Sequence, residues 1–356
     1  MIRVMVVDDS PLVRKIVTDI LSAQPDIGVC ATAPSGELAL HKLERSQPDV
    51  VTMDISMPGM GGLAAIRQIM GSRPTPVIVL SAFAHRGAEH TLQALEAGAV
   101  DFVLKPSVSI SGGVAQVARE LVDKIRQAAQ INLGLLAPPP PAPGAADPRG
   151  EAAAPTPALL RPVEIVAIGA STGGPAALKV VLQSLPEDLP VGVVVVQHMP
   201  VLFTRPFAEH LDAICRVAVK EAEHGDEIVD GRVLVAPGDR HMTVTREGGR
   251  PRVLLNQDEP VGGHRPSVDV LVRSVAREYG CRAIGVIMTG MGKDGAQGIG
   301  ELRDQGGYVI AQDSATSVVF GMNGEVVRRG AAHAVVPVSA IAGAILSRIH
   351  SPEAAG

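Results

Sequence analysis

Five side chains in the first third of the sequence, Asp8, Asp9, Asp54, Ser81 and Lys105, are of the types that accept and hold a phosphoryl group. In the second half, a Gly169-Ala170-Ser171-Thr172-Gly173-Gly174 turn is of the type that exposes a nucleophilic hydroxyl. Three carboxylates at one place repel one another, and a hard divalent cation that takes oxygen ligands and keeps several waters relieves this; Mg²⁺ is the economical choice. Lys105 adds a positive charge and Ser81 a hydroxyl, which together would neutralise and orient a phosphoryl group on Asp54. The two sets together predict an enzyme switched by phosphorylation.

Gly169-Ala170-Ser171-Thr172-Gly173 satisfies the G-x-S-x-G pattern. An apolar run ends at Gly169 and Pro175 suits the first turn of a helix, so Ser171 falls on a strand-to-helix turn with helix N–H groups behind it. The same small-residue turn also suits a phosphate or dinucleotide, although Ser171 stands where a G-x-G-x-x-G loop needs its middle glycine. Serine needs a base to take its proton. His198 directly follows the strand-like run Val191–Gln197, and Asp294 follows the run ending at Met288 through Thr289-Gly290-Met291-Gly292-Lys293. Ser171 as nucleophile, His198 as base and then acid, and Asp294 as orienting carboxylate form a triad in an order different from that of α/β-hydrolases. His264 precedes a helix and is expected to line the cleft or serve structure rather than catalysis.

The elements that must position these groups are readable from periodicity. Short β-branched runs at Ile2–Val7, Ile27–Thr32, Val50–Met53, Val77–Leu80 and Val100–Leu104 alternate with amphipathic segments such as Leu12–Ala23, Leu38–Arg45 and Thr91–Ala97. Five strands alternating with helices predict a parallel, doubly wound sheet, in which functional groups collect at the carboxyl ends of strands. Asp8 and Asp9 follow the first run, Asp54 the third, Ser81 the fourth and Lys105 the fifth, so one rim carries all five. Ala137–Pro162 is almost wholly Ala, Pro and Gly and reads as a semi-extended tether. Beyond it the alternation returns at Val163–Ile168, Val191–Gln197, Ala283–Met288 and Tyr308–Ala311. Arg232–Ala236, Met242–Thr245 and Arg252–Leu255, separated by Pro237-Gly238 and Gly248-Gly249, predict an antiparallel hairpin insert in this second, mostly parallel α/β domain. The expected boundaries are 1–125, a helix end and linker over 126–162, and 163–350.

With 356 residues, 46% hydrophobic and 19% charged, the chain can build two domains with separate cores. A net charge of −5, an aromatic content of 2% and no Trp argue against a nucleic-acid surface. Cys30, Cys215 and Cys281 are widely spaced, which predicts neither a disulfide framework nor a zinc site. No basic leader precedes an apolar segment and no run of about 20 apolar residues occurs, so a cytoplasmic location without membrane insertion is expected.

Val6-Val7-Asp8-Asp9-Ser10, Met53-Asp54-Ile55-Ser56-Met57-Pro58 and Val103-Leu104-Lys105-Pro106 resemble the response-regulator receiver family over about residues 1–125. That resemblance implies a flavodoxin-like domain, phosphorylation of Asp54, and Mg²⁺ held by Asp9, Asp54 and the Ser56 carbonyl with Asp8 assisting. It also implies that Ser81 and Phe102 relay the switch and that the bond before Pro106 is cis. Ser56 stands where relatives usually carry Glu. From about Val163 to Ile349, the Ser171 turn, Gln197-His198-Met199-Pro200, Ala236-Pro237-Gly238, Arg265-Pro266-Ser267-Val268-Asp269 and Thr289-Gly290-Met291-Gly292-Lys293-Asp294-Gly295 resemble the chemotaxis protein-glutamate methylesterases. The departures are Val201-Leu202 and Asn323. This second resemblance implies hydrolysis of γ-methyl-glutamyl esters on methyl-accepting chemotaxis receptors, deamidation of receptor Gln, and a chemotaxis histidine kinase as phosphodonor. It further implies the Met291 N–H as an oxyanion donor, Thr172 as a neighbour of His198, and no cofactor in the catalytic domain. Two other classes remain open: a receiver joined to a binding-only α/β domain, and a hydrolase acting on a small ester or on another protein.

Overall fold

The computed structural model describes residues 1–82, 85–105, 113–131 and 162–350. Most of the expected tether and the Pro106 peptide bond lie outside the described residues.

The first sheet comprises β1 (Ile2–Val7), β2 (Ile27–Ala33), β3 (Val50–Asp54), β4 (Val77–Ser81) and β5 (Asp101–Leu104), in the order β2-β1-β3-β4-β5 with every pair parallel. Helices α1 (Pro11–Ser22), α2 (Gly36–Ser46), α3 (Gly61–Ser72) and α4 (His85–Glu96) provide the crossovers, and α5 (Gly113–Ala128) follows the last strand. α1 and α2 begin where an apolar stripe follows a capping serine, Ser10 and Ser35. In α1, Ser10 caps the Val13 N–H, Pro11 occupies the first turn, and Val17 and Leu21 are buried at a spacing of four. The inner strands β3 and β4 and most of β1 are buried on both faces, which explains their apolar-rich composition, whereas the edge strand β2 is largely half-buried.

The second sheet has seven strands: β6 (Ile165–Ala170), β7 (Gly192–Gln197), β8 (Ala218–Glu221), β9 (Arg232–Val235), β12 (Ala283–Ile287), β13 (Tyr308–Gln312) and β14 (Ala334–Val336). Their order is β14-β13-β12-β6-β7-β9-β8, and every recorded pair is parallel. Only β10 (His241–Glu247) and β11 (Arg250–Asn256) form the antiparallel hairpin, turning at Gly248-Gly249. The expectation that Arg232–Ala236 belongs to that hairpin is therefore corrected: β9 pairs with β7 and β8. Its Val233, Leu234 and Val235 are fully buried, which suits an inner strand and not a hairpin arm.

Helices α6 (Gly174–Gln183), α7 (Val201–Ile214), α8 (Val268–Tyr279), α9 (Ala296–Asp304), α10 (Met322–Arg328) and α11 (Ile341–Ile349) surround this sheet. The chain leaves β6 toward β7 on one side and returns to build β12, β13 and β14 on the other. The crevice at β12/β6 is thus a topological switch point, where ligands bind in open α/β sheets. No helix among the described residues is long and apolar enough to cross a membrane.

Candidate active site and acidic pocket

Three neighbouring strands deliver the triad candidates to one rim. Ser171 follows β6, His198 follows β7, and Asp294 lies in the loop between β12 and α9. His198 Nδ1 is 3.2 Å from Ser171 Oγ, and His198 Nε2 is 2.8 Å from Asp294 Oδ2. Asp294 Oδ2 accepts a hydrogen bond from the Nε2 N–H, so Nδ1 presents its lone pair to the serine hydroxyl. The turn that lifts Ser171 needs Gly173, whose φ is +76° and where a Cβ would lie 2.5 Å from Val318 Cβ.

Asp294 is held from several directions. Besides His198, it accepts from Ser267 Oγ at 2.7 Å and from the Val268, Asp269 and Gly295 N–H groups at 2.7, 3.1 and 3.0 Å. Burial works against its charge, but His198, Ser267 and the Val268 N–H outweigh it and bring its pKa down to about 2. The Val268 and Asp269 N–H groups open α8, so the carboxylate also occupies the positive end of that helix. Ser267 was visible in the sequence only within a matched segment. A Ser directly before the apolar run of α8 was the available signal, since it caps the helix at Val270.

His264 stacks on His198, with ring centroids 3.9 Å apart and planes within 7°. Burial and the neighbouring His198 depress its pKa to about 4, which keeps it neutral at pH 7. Met291 follows β12 in the same loop as Asp294, and among the described residues its N–H has no protein acceptor. The adjacent loop is tied to the nucleophile: the Ser171 N–H donates to the Thr289 carbonyl, and the Thr289 hydroxyl donates to the Thr172 carbonyl. Asn323 is fully buried and donates to the Gln312 carbonyl and Ser317 Oγ, so its side chain supports the β13–α10 loop.

At the first rim, oxygens of Asp8, Asp9 and Asp54 lie within 4.8 Å of one another. Lys105 Nζ is 2.8 Å from both Asp8 Oδ2 and Asp54 Oδ2. Those two buried oxygens are ion-paired but make no well-directed hydrogen bond, which leaves lone pairs available to a cation. Burial raises the Asp8 pKa against the lowering effect of Lys105, whereas for Lys105 the two carboxylates outweigh burial and raise it. The Ser56 N–H donates to Asp54 Oδ1 at 3.0 Å. Ser81 Oγ accepts from Thr91 Oγ1 at 2.8 Å. This oxygen-rich donor set fits Mg²⁺.

The Phe102 ring stacks on Phe203 of α7, with centroids 4.5 Å apart. Beside it, the Thr172 hydroxyl donates to Asp101 Oδ2 at 2.6 Å, while Lys124 of α5 donates to Asp101 Oδ1 at 3.0 Å and to the Phe102 carbonyl at 2.7 Å. Burial opposes the Lys124 charge, but Asp101 and Glu120 outweigh it and raise its pKa. Glu96 of α4 accepts from Lys179 of α6 at 2.6 Å and from His210 of α7 at 3.0 Å. The first domain therefore packs against the residue next to Ser171. Asp101 carried no signal in the sequence, because its partner is 71 positions away in another domain.

The family model described as CheB methylesterase matches residues 166–345, and that described as response regulator receiver domain matches residues 4–111. A protein-glutamate methylesterase/protein-glutamine glutaminase 3 of Burkholderia lata is 44% identical over 348 residues, covering 98% of this chain and 96% of that protein. A protein-glutamate methylesterase/protein-glutamine glutaminase 2 of Pseudomonas aeruginosa is 46% identical over 347 residues, covering 98% and 97%. Among solved structures, the CheB methylesterase catalytic domain of Thermotoga maritima matches with a TM-score of 0.51 at 41% identity, covering 52% of this chain and 98% of that domain. An acidic receiver pocket, a serine–histidine–carboxylate cluster at a sheet's switch point, and similarity over nearly the full length of these relatives lead to one conclusion: the chain belongs to the CheB methylesterase family of response regulators.

Proposed function

We propose that the protein is a phosphorylation-activated serine hydrolase that removes methyl esters from glutamate residues of methyl-accepting chemotaxis receptors, releasing methanol, and deamidates receptor glutamines. The observation that carries this reading is the hydrogen-bonded relay from Ser171 through His198 to Asp294. Ser171 Oγ attacks the ester carbonyl carbon as His198 Nδ1 takes its proton. The Met291 N–H donates to the developing oxyanion. Collapse expels methanol, or ammonia from an amide, protonated by the His198 imidazolium. Water then attacks the acyl-serine with His198 again as base, giving glutamate and free Ser171. Asp294, ionised throughout, holds the imidazole orientation and stabilises its charged form.

Residues 1–125 serve as the receiver, 126–162 as the helix end and linker, and 163–350 as the catalytic domain. A chemotaxis histidine kinase supplies the phosphoryl group to Asp54. Mg²⁺, held by Asp8, Asp9, Asp54 and the Ser56 carbonyl, would neutralise phosphoryl oxygens, with Lys105 adding positive charge. Ser81 and Phe102 relay the change. The unphosphorylated receiver restrains the catalytic domain through the contacts of Asp101 with Thr172, Phe102 with Phe203, and Glu96 with Lys179 and His210. A tether keeps the two domains at high effective concentration, so weak contacts suffice. Release of labelled methanol from radiomethylated receptors, with and without Mg²⁺ and acetyl phosphate, tests the reading; no release in either state contradicts it.

A further inference from the structure

We propose that Gln197 is a positioning residue that fixes the distance between Ser171 and His198, an inference that rests on the triad reading above. The last ladder bond between β6 and β7 runs from the His198 N–H to the Ala170 carbonyl, at 3.2 Å. Beyond it the strands part, and the Ser171 N–H turns away toward Thr289. Gln197, the final residue of β7 and almost fully buried, supplies the missing rung with its side chain. Its Nε2 donates to the Ser171 carbonyl at 3.0 Å and to the His198 carbonyl at 3.3 Å. One amide thus ties together the backbones of the two residues whose side chains must meet.

Only a neutral side chain with two N–H donors meets this requirement without burying a charge. The cost is visible at the other end of the group, where Gln197 Oε1 is buried with no partner. An apolar side chain would avoid that cost, so a purely packing role does not account for an amide here. The oxygen lies at the opening turn of α6, whose positive end partly compensates it. It also dictates a neighbour: a Cβ at Gly174 would lie 1.9 Å from Oε1.

The test compares full-length protein with Gln197→Met and Gln197→Glu, each with Mg²⁺ and acetyl phosphate, for methanol release, thermal midpoint and the rate of fluorophosphonate labelling at Ser171. Methionine keeps the length and removes both donors. The expected result is a kcat reduced roughly 10- to 100-fold with KM within about twofold, parallel slowing of labelling, and a near-normal thermal midpoint. Glutamate loses the donors when ionised and regains one when protonated, so its kcat relative to the unsubstituted enzyme should rise as pH falls. Gln197→Met with unchanged kcat and labelling overturns the proposal, as does a loss confined to KM or to thermal stability. Unsubstituted protein that is not labelled at Ser171 overturns the nucleophile assignment and this inference with it.

Discussion

Asp101→Asn isolates the contact that couples the receiver to the nucleophile turn. The substitution keeps the shape but has one acceptor oxygen, which stays with the Phe102 N–H and Lys124, so the amide NH2 faces the Thr172 oxygen and a neutral bond replaces the charge-assisted one now 2.6 Å long between the Thr172 hydroxyl and Asp101 Oδ2. Hydrogen bonds to charged groups contribute about 1.5–3 kcal/mol and neutral ones about 0.5–1.5, so the contact should weaken by roughly 1–1.5 kcal/mol. Lys124 is not stranded, because Glu120 at 3.0 Å and the Phe102 carbonyl remain. If the closed arrangement dominates without phosphate, the open population rises by the same free energy, about 5- to 12-fold. Methanol release by the unphosphorylated variant should increase by that factor, and release after acetyl phosphate treatment should match the unsubstituted protein. The isolated segment from Val163 onward sets the ceiling. A folded Asp101→Asn protein with unchanged basal release would refute the reasoning that this contact restrains the enzyme.

Ser171→Ala and His198→Ala should each lower kcat by several orders of magnitude while leaving the fold intact, and Asp294→Ala should be less severe, since some base function survives without the orienting carboxylate; steady-state methanol release checks all three. Asp54→Asn should lose activation by Mg²⁺ and acetyl phosphate, and a response that persists would move the acceptor elsewhere. Stability should depend on His264 between pH 6.5 and about 4. Burial in the folded state disfavours the charged ring, so its stability is intact above pH 6.5 and is lost as pH falls toward 4, by about 3 kcal/mol. His264→Phe keeps a ring on His198 and should remove that acid-side loss in denaturant titrations run at pH 7 and pH 4.

Much of the site was legible because each candidate follows a strand whose pattern is strong. Val191–Val196 and Ile165–Ala170 are unbroken apolar runs buried on both faces, so Ser171 and, one residue after Gln197, His198 had to emerge at one rim. Periodicity failed where elements are short and half exposed. Ala218–Glu221 and Ala334–Val336 form the sheet edges, where the burial that writes an apolar pattern is incomplete. Arg232–Val235 was legible as a strand but not in its pairing, because Pro237-Gly238 reads equally as a hairpin turn or as a strand exit. Long-range contacts left no local trace: the Asp101–Thr172 bond, the stacking of His264 on His198, and the amide of Gln197 all depend on how separate segments meet.

The most direct test is the rate at which a fluorophosphonate labels Ser171 in the full-length protein, before and after treatment with Mg²⁺ and acetyl phosphate, read by intact mass and peptide mapping. An activated serine beside a restraining receiver predicts one label per chain, on Ser171, acquired slowly without phosphate and several-fold faster with it. Labelling of a different residue, or none in the phosphorylated protein, would contradict the account.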